Sequence, residues 1–447
     1  MDIYFISLGC DKNLVDSENM LGILHDNGYK ITDKEEAADI IIVNTCCFIH
    51  DAKEESIQTI LEMAEYKKTG KLKALIVTGC LAERYKDEIL KEIPEVDALL
   101  GTAAFNEILQ VVKQVIYGKR YTYFADINEL PKSKSKRILS TGTHYSYLKI
   151  AEGCDKHCTY CIIPKVRGNY RSRPMEELLE EAEYLASMGI KELILVAQET
   201  TLYGVDLYGK KALPDLLRKL CKISGIEWIR ILYCYPEEIT PELIETIRSE
   251  SKICNYLDIP IQHCSDRILK LMGRRTSKDD ITGIVKTLRD RIPDIALRTT
   301  LITGFPTETD EEHKELLEFI ESMRFDRLGV FTYSKEEDTP AALLKPQIPA
   351  KVKKQRQKEL MEIQQTIAFD ISSSHIGRIM DVIIDGKIAD KDDVYVARTY
   401  MDGPQVDGYI FINSEEELMS GDIIRVRVTG ANKYDLIGEI VEGSVRK

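Results

Sequence analysis

Three cysteines stand close together in Gly153-Cys154-Asp155-Lys156-His157-Cys158-Thr159-Tyr160-Cys161, spaced C-x3-C-x2-C directly after an apolar run at Tyr147 to Ile150. Three thiolates at this spacing can ligate three irons of a four-iron cluster and leave the fourth iron open to chelate a substrate, whereas a fourth thiolate would close the cluster into an electron carrier. No fourth cysteine follows at short range, and His157, adjacent to Cys158, is poorly spaced to complete a zinc site. A zinc knuckle and chance buried thiols are the competing readings. The loop follows a strand, and the carboxyl ends of strands are where α/β proteins place their sites.

A second set is spread along the chain. Cys10 follows Gly9, Cys46 follows Thr45 and Cys80 follows Gly79, each closing an apolar, β-rich run (Ile3 to Ser7, Ile40 to Asn44, Leu72 to Thr78). The separations of 36 and 34 residues are each about one βαβ unit, which makes a weak internal repeat. Parallel strands would bring the three thiols to one carboxyl edge and one crevice, able to hold a second cluster with an open iron. Taken alone, small buried residues at strand ends account for them equally well.

The elements that must position these residues are legible in outline. A chain of 447 residues has room for about three domains. Residues 1–128 alternate strand and helix, predicting a doubly wound parallel α/β domain. Residues 129–142, containing the basic stretch Pro131-Lys-Ser-Lys-Ser-Lys-Arg137, lack an apolar period and read as a linker. Between 143 and 370, candidate strands at Tyr147 to Ile150, Leu193 to Ala197, Trp228 to Tyr233, Leu257 to Ile261, Leu297 to Thr303 and Leu328 to Tyr333 make six βα units, a barrel-like sheet, open or closed. One helix between them is well marked, with Pro174 at its start, Glu176, Glu177, Glu180 and Glu181 in its first half and Gly189 at its end. A charged helical stretch at 351–370 precedes residues 371–447, whose short β-rich runs predict a small antiparallel β-barrel.

Composition excludes several classes. Hydrophobic residues make up 44% and charged residues 30%, the balance of a folded chain. The formal charge of -13 argues against a surface that tracks nucleic acid throughout. No run approaches 18 apolar residues and the start lacks a basic n-region, so the expectation is a cytoplasmic protein with no membrane partner. Eleven cysteines in that compartment point to metal binding before disulfides. Cys221, Cys234, Cys254 and Cys264 lack ligand spacing and are expected in the core. His263 is read as a structural histidine at a site edge, and the Gly304 to Glu308 turn as a pocket wall or a strand end.

The triad Cys154, Cys158, Cys161, with an aromatic residue, Tyr160, before its last cysteine, resembles the cluster loop of the radical S-adenosylmethionine superfamily. Adding Gly9-Cys10-Asp-Lys-Asn13-Leu14-Val-Asp16-Ser17-Glu18, Asn44-Thr45-Cys46, Thr78-Gly79-Cys80 and the terminal β-domain, the whole chain resembles the methylthiotransferase family. Lys53-Glu54-Glu55-Ser56, Arg167-Gly168 with Arg171-Ser172-Arg173, and Asp402-Gly403-Pro404-Gln405-Val406-Asp407-Gly408 resemble its ribosomal-protein branch.

The resemblance implies a radical-SAM partial (β/α)6 barrel at the centre, a TRAM-like terminal barrel, two 4Fe-4S clusters and S-adenosylmethionine. It implies Cys10, Cys46 and Cys80 as ligands of an auxiliary cluster, and Cys154, Cys158 and Cys161 as ligands of the radical cluster. Cys47, where this branch often has glycine, is the alternative to Cys46. Tyr160, Gln198, Glu199 and Arg298 fall where the family contacts S-adenosylmethionine, Glu199 standing in place of an aspartate. The implied activity methylates sulfur on the auxiliary cluster, then uses a 5'-deoxyadenosyl radical to install the methylthio group at the β-carbon of an aspartate in the twelfth small-subunit ribosomal protein. An unactivated C–H bond lies beyond any side-chain base, so cofactor chemistry carries that step.

Charge bears on the substrate. From Gly377 to Lys447 nine Lys or Arg face fourteen Asp or Glu, a balance of -5, which suits a basic ribosomal protein better than a phosphate backbone. Arg425, Arg427 and Lys433 on one face would be the counter-case. A transfer-RNA adenosine methylthiotransferase is the alternative of the same chemistry, and a non-catalytic iron-sulfur carrier or RNA-binding scaffold the alternative of another class. An external electron donor and a sulfur source are required partners. The basic runs Lys132 to Arg137 and Lys351 to Lys358 are candidate contacts to ribosomal RNA, against their reading as solvated faces.

Overall fold

The computed structural model describes residues 1–132, 136–389, 391, 393–441 and 443. The chain divides into two compact units. The first comprises Met1–Ser140, Ala151–Arg173 and Ser334–Ala342; the second comprises Thr141–Ile150, Pro174–Tyr333 and Leu343–Lys447.

The first unit is built on six parallel strands, β1 (Asp2–Ser7), β2 (Lys30–Ile31), β3 (Ile40–Thr45), β4 (Ala74–Gly79), β5 (Ala98–Leu100) and β6 (Tyr121–Tyr123), in the order β2-β1-β3-β4-β5-β6. Every residue of β3 and β4 is buried, as expected of strands covered on both faces. Successive side chains enter opposite layers. Ile41, Val43, Leu75 and Val77 pack in one core and Ile40, Ile42, Ala74 and Ile76 in the other. Helices α1 (Asp11–Asp26), α2 (His50–Thr69) and α3 (Cys80–Tyr85) follow β1, β3 and β4. The doubly wound domain is as expected. The sequence showed three of its strands; β2, β5 and β6, two or three residues each, are too short to show a period.

The end of the basic stretch belongs to this fold. Arg137 is buried and its Nη1 lies 3.2 Å from Glu18 Oε2 on α1, while the backbone N–H of Ser140 donates to Glu18 Oε1 at 2.8 Å. Ser133 to Ser135, within the same stretch, lie outside the described residues.

In the second unit β7 (Tyr145–Lys149) opens a parallel sheet, and the chain then passes through a two-stranded ribbon of the first unit, β8 (Ala151–Glu152) with β9 (Arg171–Ser172). The sheet continues with β10 (Glu192–Val196), β11 (Trp228–Ile231), β12 (Ile253–Asp258), β13 (Ala296–Thr303) and β14 (Arg327–Thr332), ordered β14-β13-β12-β11-β10-β7. All six expected strands are present, forming a partial barrel with successive neighbours. The helix Met175–Ser187 starts after Pro174, and Gly189, at φ +93°, lies just beyond its end.

The terminal barrel closes from β15 (Ile379–Lys387), β16 (Val394–Thr399), β17 (Ile410–Asn413), β18 (Ile423–Asn432) and β19 (Asp435–Ile440) in the order β15-β16-β17-β19-β18. Its expected antiparallel character holds for every neighbouring pair except β17 and β19, which run parallel. An odd number of strands cannot alternate in direction all round a closed ring. Within the unit the barrel is locked to the sheet by buried charge. Glu192, first residue of β10, lies between Arg230 at 2.8 Å and Arg398 of β16 at 2.7 Å, and Arg327, first residue of β14, meets Asp402 at 2.5 Å. No described helix is long and apolar enough to cross a membrane.

Candidate functional site

β1, β3 and β4 are neighbours, and their registers pair Ser7 with Asn44, Asn44 with Thr78 and Thr45 with Gly79. The three carboxyl ends are therefore level. Cys10 caps the amino end of α1, Cys46 follows β3, and Cys80 opens α3. Two glycines permit the close approach. Gly9 has φ +89°, and a Cβ there would stand 2.6 Å from Cys46 Cβ and 2.9 Å from its Sγ. Gly79 has φ +91°, and a Cβ there would meet Asn44 Oδ1 at 2.3 Å and the Thr45 carbonyl at 2.6 Å. Both positions need a residue with free access to positive φ and no side chain.

Buried polar groups tie the loops together. Asn13 Nδ2 donates to the carbonyls of Leu8 at 3.0 Å and Thr45 at 2.9 Å, bridging the Cys10 and Cys46 loops. Thr45 Oγ1 donates to the Thr78 carbonyl at 2.5 Å, reaching the Cys80 loop. Ser56 on α2 holds Cys46 from the other side, accepting from its N–H at 3.0 Å and donating to its carbonyl at 2.8 Å.

The thiols influence one another. Burial first, then Cys80 and Cys10, pushes the Cys46 thiol up to about 12, while Arg167 pulls it back. Cys80 is raised by burial and opposed chiefly by Arg167. Cys47 is buried in the apolar layer with Ile41 and Val43; burial followed by Cys80 raises it, and its carbonyl accepts from Arg84 Nη1 at 3.2 Å. Two buried thiols, Cys46 and Cys80, and the half-buried Cys10 stand at adjacent strand ends near one guanidinium, a donor set whose chemistry fits an anionic cluster bound through thiolates.

The second triad lies in the same unit. Gly153 has φ +68°, and a Cβ there would stand 2.0 Å from the Asn169 carbonyl, so only glycine lets the loop turn there. The Cys154 N–H donates to the Gly168 carbonyl at 3.1 Å, the Lys156 N–H to Cys154 Sγ at 3.5 Å and the Cys161 N–H to the Cys158 carbonyl at 3.0 Å. Burial raises the Cys161 thiol, with Cys158 adding to it. Cys154 and Cys158 are buried, while Tyr160 and Cys161 are half-buried. The Ala341 N–H donates to the Thr159 carbonyl at 2.9 Å. All the cysteines are free thiols.

Sequence reasoning passed over Arg167 as a site residue. It ends the short helix Ile163–Arg167 and is 3% exposed. Its Nη2 donates to Asn13 Oδ1 at 2.5 Å and to Asp16 Oδ2 at 3.2 Å, and its Nη1 to Glu152 Oε2 at 3.1 Å. Burial works to lower its pKa, but Cys80, Glu152, Asp16 and Cys10 outweigh that and raise it well above the usual arginine value. A lone arginine after a cysteine loop carries no sequence signal of this role.

In the second unit Gln198 and Glu199 follow the carboxyl end of β10. Glu199 is fully buried and accepts from Thr201 Oγ1, whose oxygen accepts in turn from the Tyr235 N–H at 3.2 Å. Gln198 is half-buried, and its Nε2 has no hydrogen-bond partner among the described residues. Arg298 is held by Asp258 at 2.8 Å and Asp407 at 3.3 Å. Asp407 also accepts from the Tyr256 hydroxyl at 2.8 Å. His263 is fully buried, its Nδ1 accepting from the Ser265 N–H at 3.0 Å, as a structural histidine would. In the Gly304 to Glu308 turn, Glu308 accepts from the Phe305 N–H at 2.9 Å and from Arg356 at 2.8 Å, so the turn is held as a strand end. Cys234, Cys254 and Cys264 are core residues and Cys221 is half-buried.

Three family descriptions match the chain: uncharacterized protein family UPF0004 over residues 2–101, the Radical SAM superfamily over 148–320 and the TRAM domain over 376–441. A protein of Lachnoclostridium phytofermentans named ribosomal protein uS12 methylthiotransferase RimO is 66% identical over 98% of this chain and 99% of its own. One of the same name from Thermoanaerobacter sp. is 49% identical over the same shares. Among solved structures, the radical S-adenosylmethionine methyltransferase TsrM from Kitasatospora setae, with cobalamin and a 4Fe-4S cluster bound, aligns with a TM-score of 0.56 at 12% identity, covering 76% of this chain and 77% of its own. The cobalamin-dependent S-adenosylmethionine radical enzyme OxsB aligns with a TM-score of 0.53 at 13% identity, covering 82% and 57%. At such identities the likeness establishes the fold alone.

Proposed function

Because the chain belongs to the ribosomal protein uS12 methylthiotransferase RimO family, we propose that it transfers a methylthio group to the β-carbon of an aspartate in protein uS12 of the small ribosomal subunit. The observation that carries this reading is the gathering of Cys10, Cys46 and Cys80 at one sheet edge, in the same unit as the C-x3-C-x2-C loop. The Radical SAM match indicates an iron-sulfur cluster and S-adenosylmethionine. The finer assignment gives Cys154, Cys158 and Cys161 to that cluster and Cys10, Cys46 and Cys80 to a second. Cys46 is preferred to Cys47 because its Sγ stands against Gly9, the residue before Cys10, whereas Cys47 packs in the apolar layer with Ile41 and Val43. When bound, the clusters and S-adenosylmethionine supply the one-electron chemistry that generates a hydrogen-abstracting radical.

The chain's own residues bind and orient. Gly9, Gly79 and Gly153 allow the cysteine loops to close, and Asn13, Thr45 and Ser56 hold them in register. Gln198, Glu199 and Tyr160 are assigned to S-adenosylmethionine on the sequence motif. For Arg298, whose guanidinium already serves Asp258 and Asp407, we assign a positioning role. Domain limits of 1–128, 143–370 and 371–447, joined by 129–142, follow the same reading.

The TRAM match brings RNA into consideration. On the outer face of β18, Arg425 lies opposite Asp381 and Arg427 opposite Glu439, so these two cations share a face with carboxylates. That pattern supports a basic protein as the partner. The test is peptide mass spectrometry of small-subunit ribosomal proteins and bulk transfer RNA after anaerobic incubation with reconstituted enzyme, S-adenosylmethionine, sulfide and reductant. A methylthio gain on an aspartyl peptide of uS12 is expected. A gain on transfer-RNA adenosine alone would overturn the reading.

A further inference from the structure

Arg167 is carried by the segment that follows Cys154, Cys158 and Cys161, yet its charge faces the other triad. Its Nη2 is bound to Asn13, three residues past Cys10, and Asn13 Oδ1 is 3.9 Å from Cys80 Sγ. Through Asn13, which also bonds the Leu8 and Thr45 carbonyls, it is tied to the Cys10 and Cys46 loops as well. Its other nitrogen holds Glu152, two residues before Cys154. One buried guanidinium thus touches the framework of both triads within a single compact unit.

A guanidinium keeps its proton at any accessible pH, and its field is strong where water is excluded. Net charge and hydrogen bonding next to a thiolate-bound cluster set how readily it accepts an electron. We propose that Arg167 is a positioning residue that supplies the countercharge of the Cys10, Cys46, Cys80 site, raising the tendency of an iron-sulfur cluster there to accept an electron. The inference rests on the assignment of those three cysteines as ligands. It gives the auxiliary site a redox poise set by a residue of the radical-cluster segment. Asp16 and Glu152 orient the guanidinium, with Asp16 Oδ2 accepting from both terminal nitrogens at 3.2 Å.

The experiment uses full-length enzyme with Cys154, Cys158 and Cys161 replaced by alanine, so that any cluster signal comes from the auxiliary site. Iron and sulfide content and the midpoint potential, by electron paramagnetic resonance during redox titration, are compared with Arg167 intact, in Arg167→Lys and in Arg167→Gln. Arg167→Gln is expected to disfavour reduction at least tenfold, about 59 mV for a one-electron couple, whereas Arg167→Lys stays within that range of the parent. Loss of iron in Arg167→Gln but not in Arg167→Lys would support the same requirement for charge. Iron retained with an unchanged potential in Arg167→Gln would overturn the inference and leave the ligand assignment standing. So would equal shifts in both variants. Absence of iron with Arg167 intact would overturn the ligand assignment, and the inference with it.

Discussion

The side-chain amide of Asn13 donates a 2.9 Å hydrogen bond to the carbonyl of Thr45, so that the residue before Cys46 is held by a residue three positions past Cys10. Both groups are buried, and Asn13 also serves Leu8 and Arg167. The cysteine edge therefore has its own scaffold, independent of any metal. Asn13→Ala would leave buried carbonyls without that donor, at a cost of about 1–3 kcal/mol. A lower unfolding midpoint under anaerobic conditions and reduced iron retention are the expected results; an unchanged midpoint would show that the loops hold without it.

Gly79→Ala should be more damaging than Asn13→Ala. The positive φ disfavours any side chain, and the new Cβ would press on Asn44 Oδ1 and the Thr45 carbonyl, both part of the rigid sheet edge. Soluble yield and iron content of the two variants, compared side by side, test the ranking.

The two triads should separate by activity. Cys154→Ala is expected to abolish 5'-deoxyadenosine formation. Cys80→Ala is expected to retain it while losing methylthio transfer. Chromatographic quantification of 5'-deoxyadenosine alongside peptide mass spectrometry reads both, and equal loss of the two activities in Cys80→Ala would count against a division of labour.

His263 should make the second unit acid-sensitive. Its burial, the dominant cause, lowers its pKa to about 3 from a free value near 6.5. The unfolded chain takes up this proton first as pH falls, so stability is full above about 6.5 and declines toward 3, by up to about 1.4 kcal/mol per pH unit. His263→Asn can keep the bond to the Ser265 N–H while removing the titration. Urea unfolding at pH 7 and pH 5 should show a smaller pH difference in the variant than in the parent.

Glu192 is fully buried between two guanidiniums, and its carboxyl is held below the usual range against the effect of burial by Arg398 and Arg230. Glu192→Gln would leave two buried cations without their shared anion, a loss of about 3–5 kcal/mol. The exposed Glu416→Gln should change stability by less than about 0.5 kcal/mol. A Glu192 variant as stable as the Glu416 variant would show that the barrel is held by other contacts.

What the sequence determined by itself is what depends on neighbours along the chain. The C-x3-C-x2-C loop is local, because thiols around one cluster can come from one short segment. β3 and β4 were legible because strands covered on both faces need unbroken apolar runs, and Cys46 and Cys80 stood at their ends. The six strands of the second sheet were found for the same reason, whereas β5, three residues long, left no pattern. Only the tertiary structure decided which charges meet. Arg167 reaches Asn13 across 154 positions, Arg398 reaches Glu192 across 206, and Arg298 is taken up by Asp407. Such pairs leave no periodicity, since a buried charge needs one well-placed partner rather than a spacing. The parallel contact of β17 with β19 was likewise settled by closure of a five-stranded ring, a property of the whole barrel.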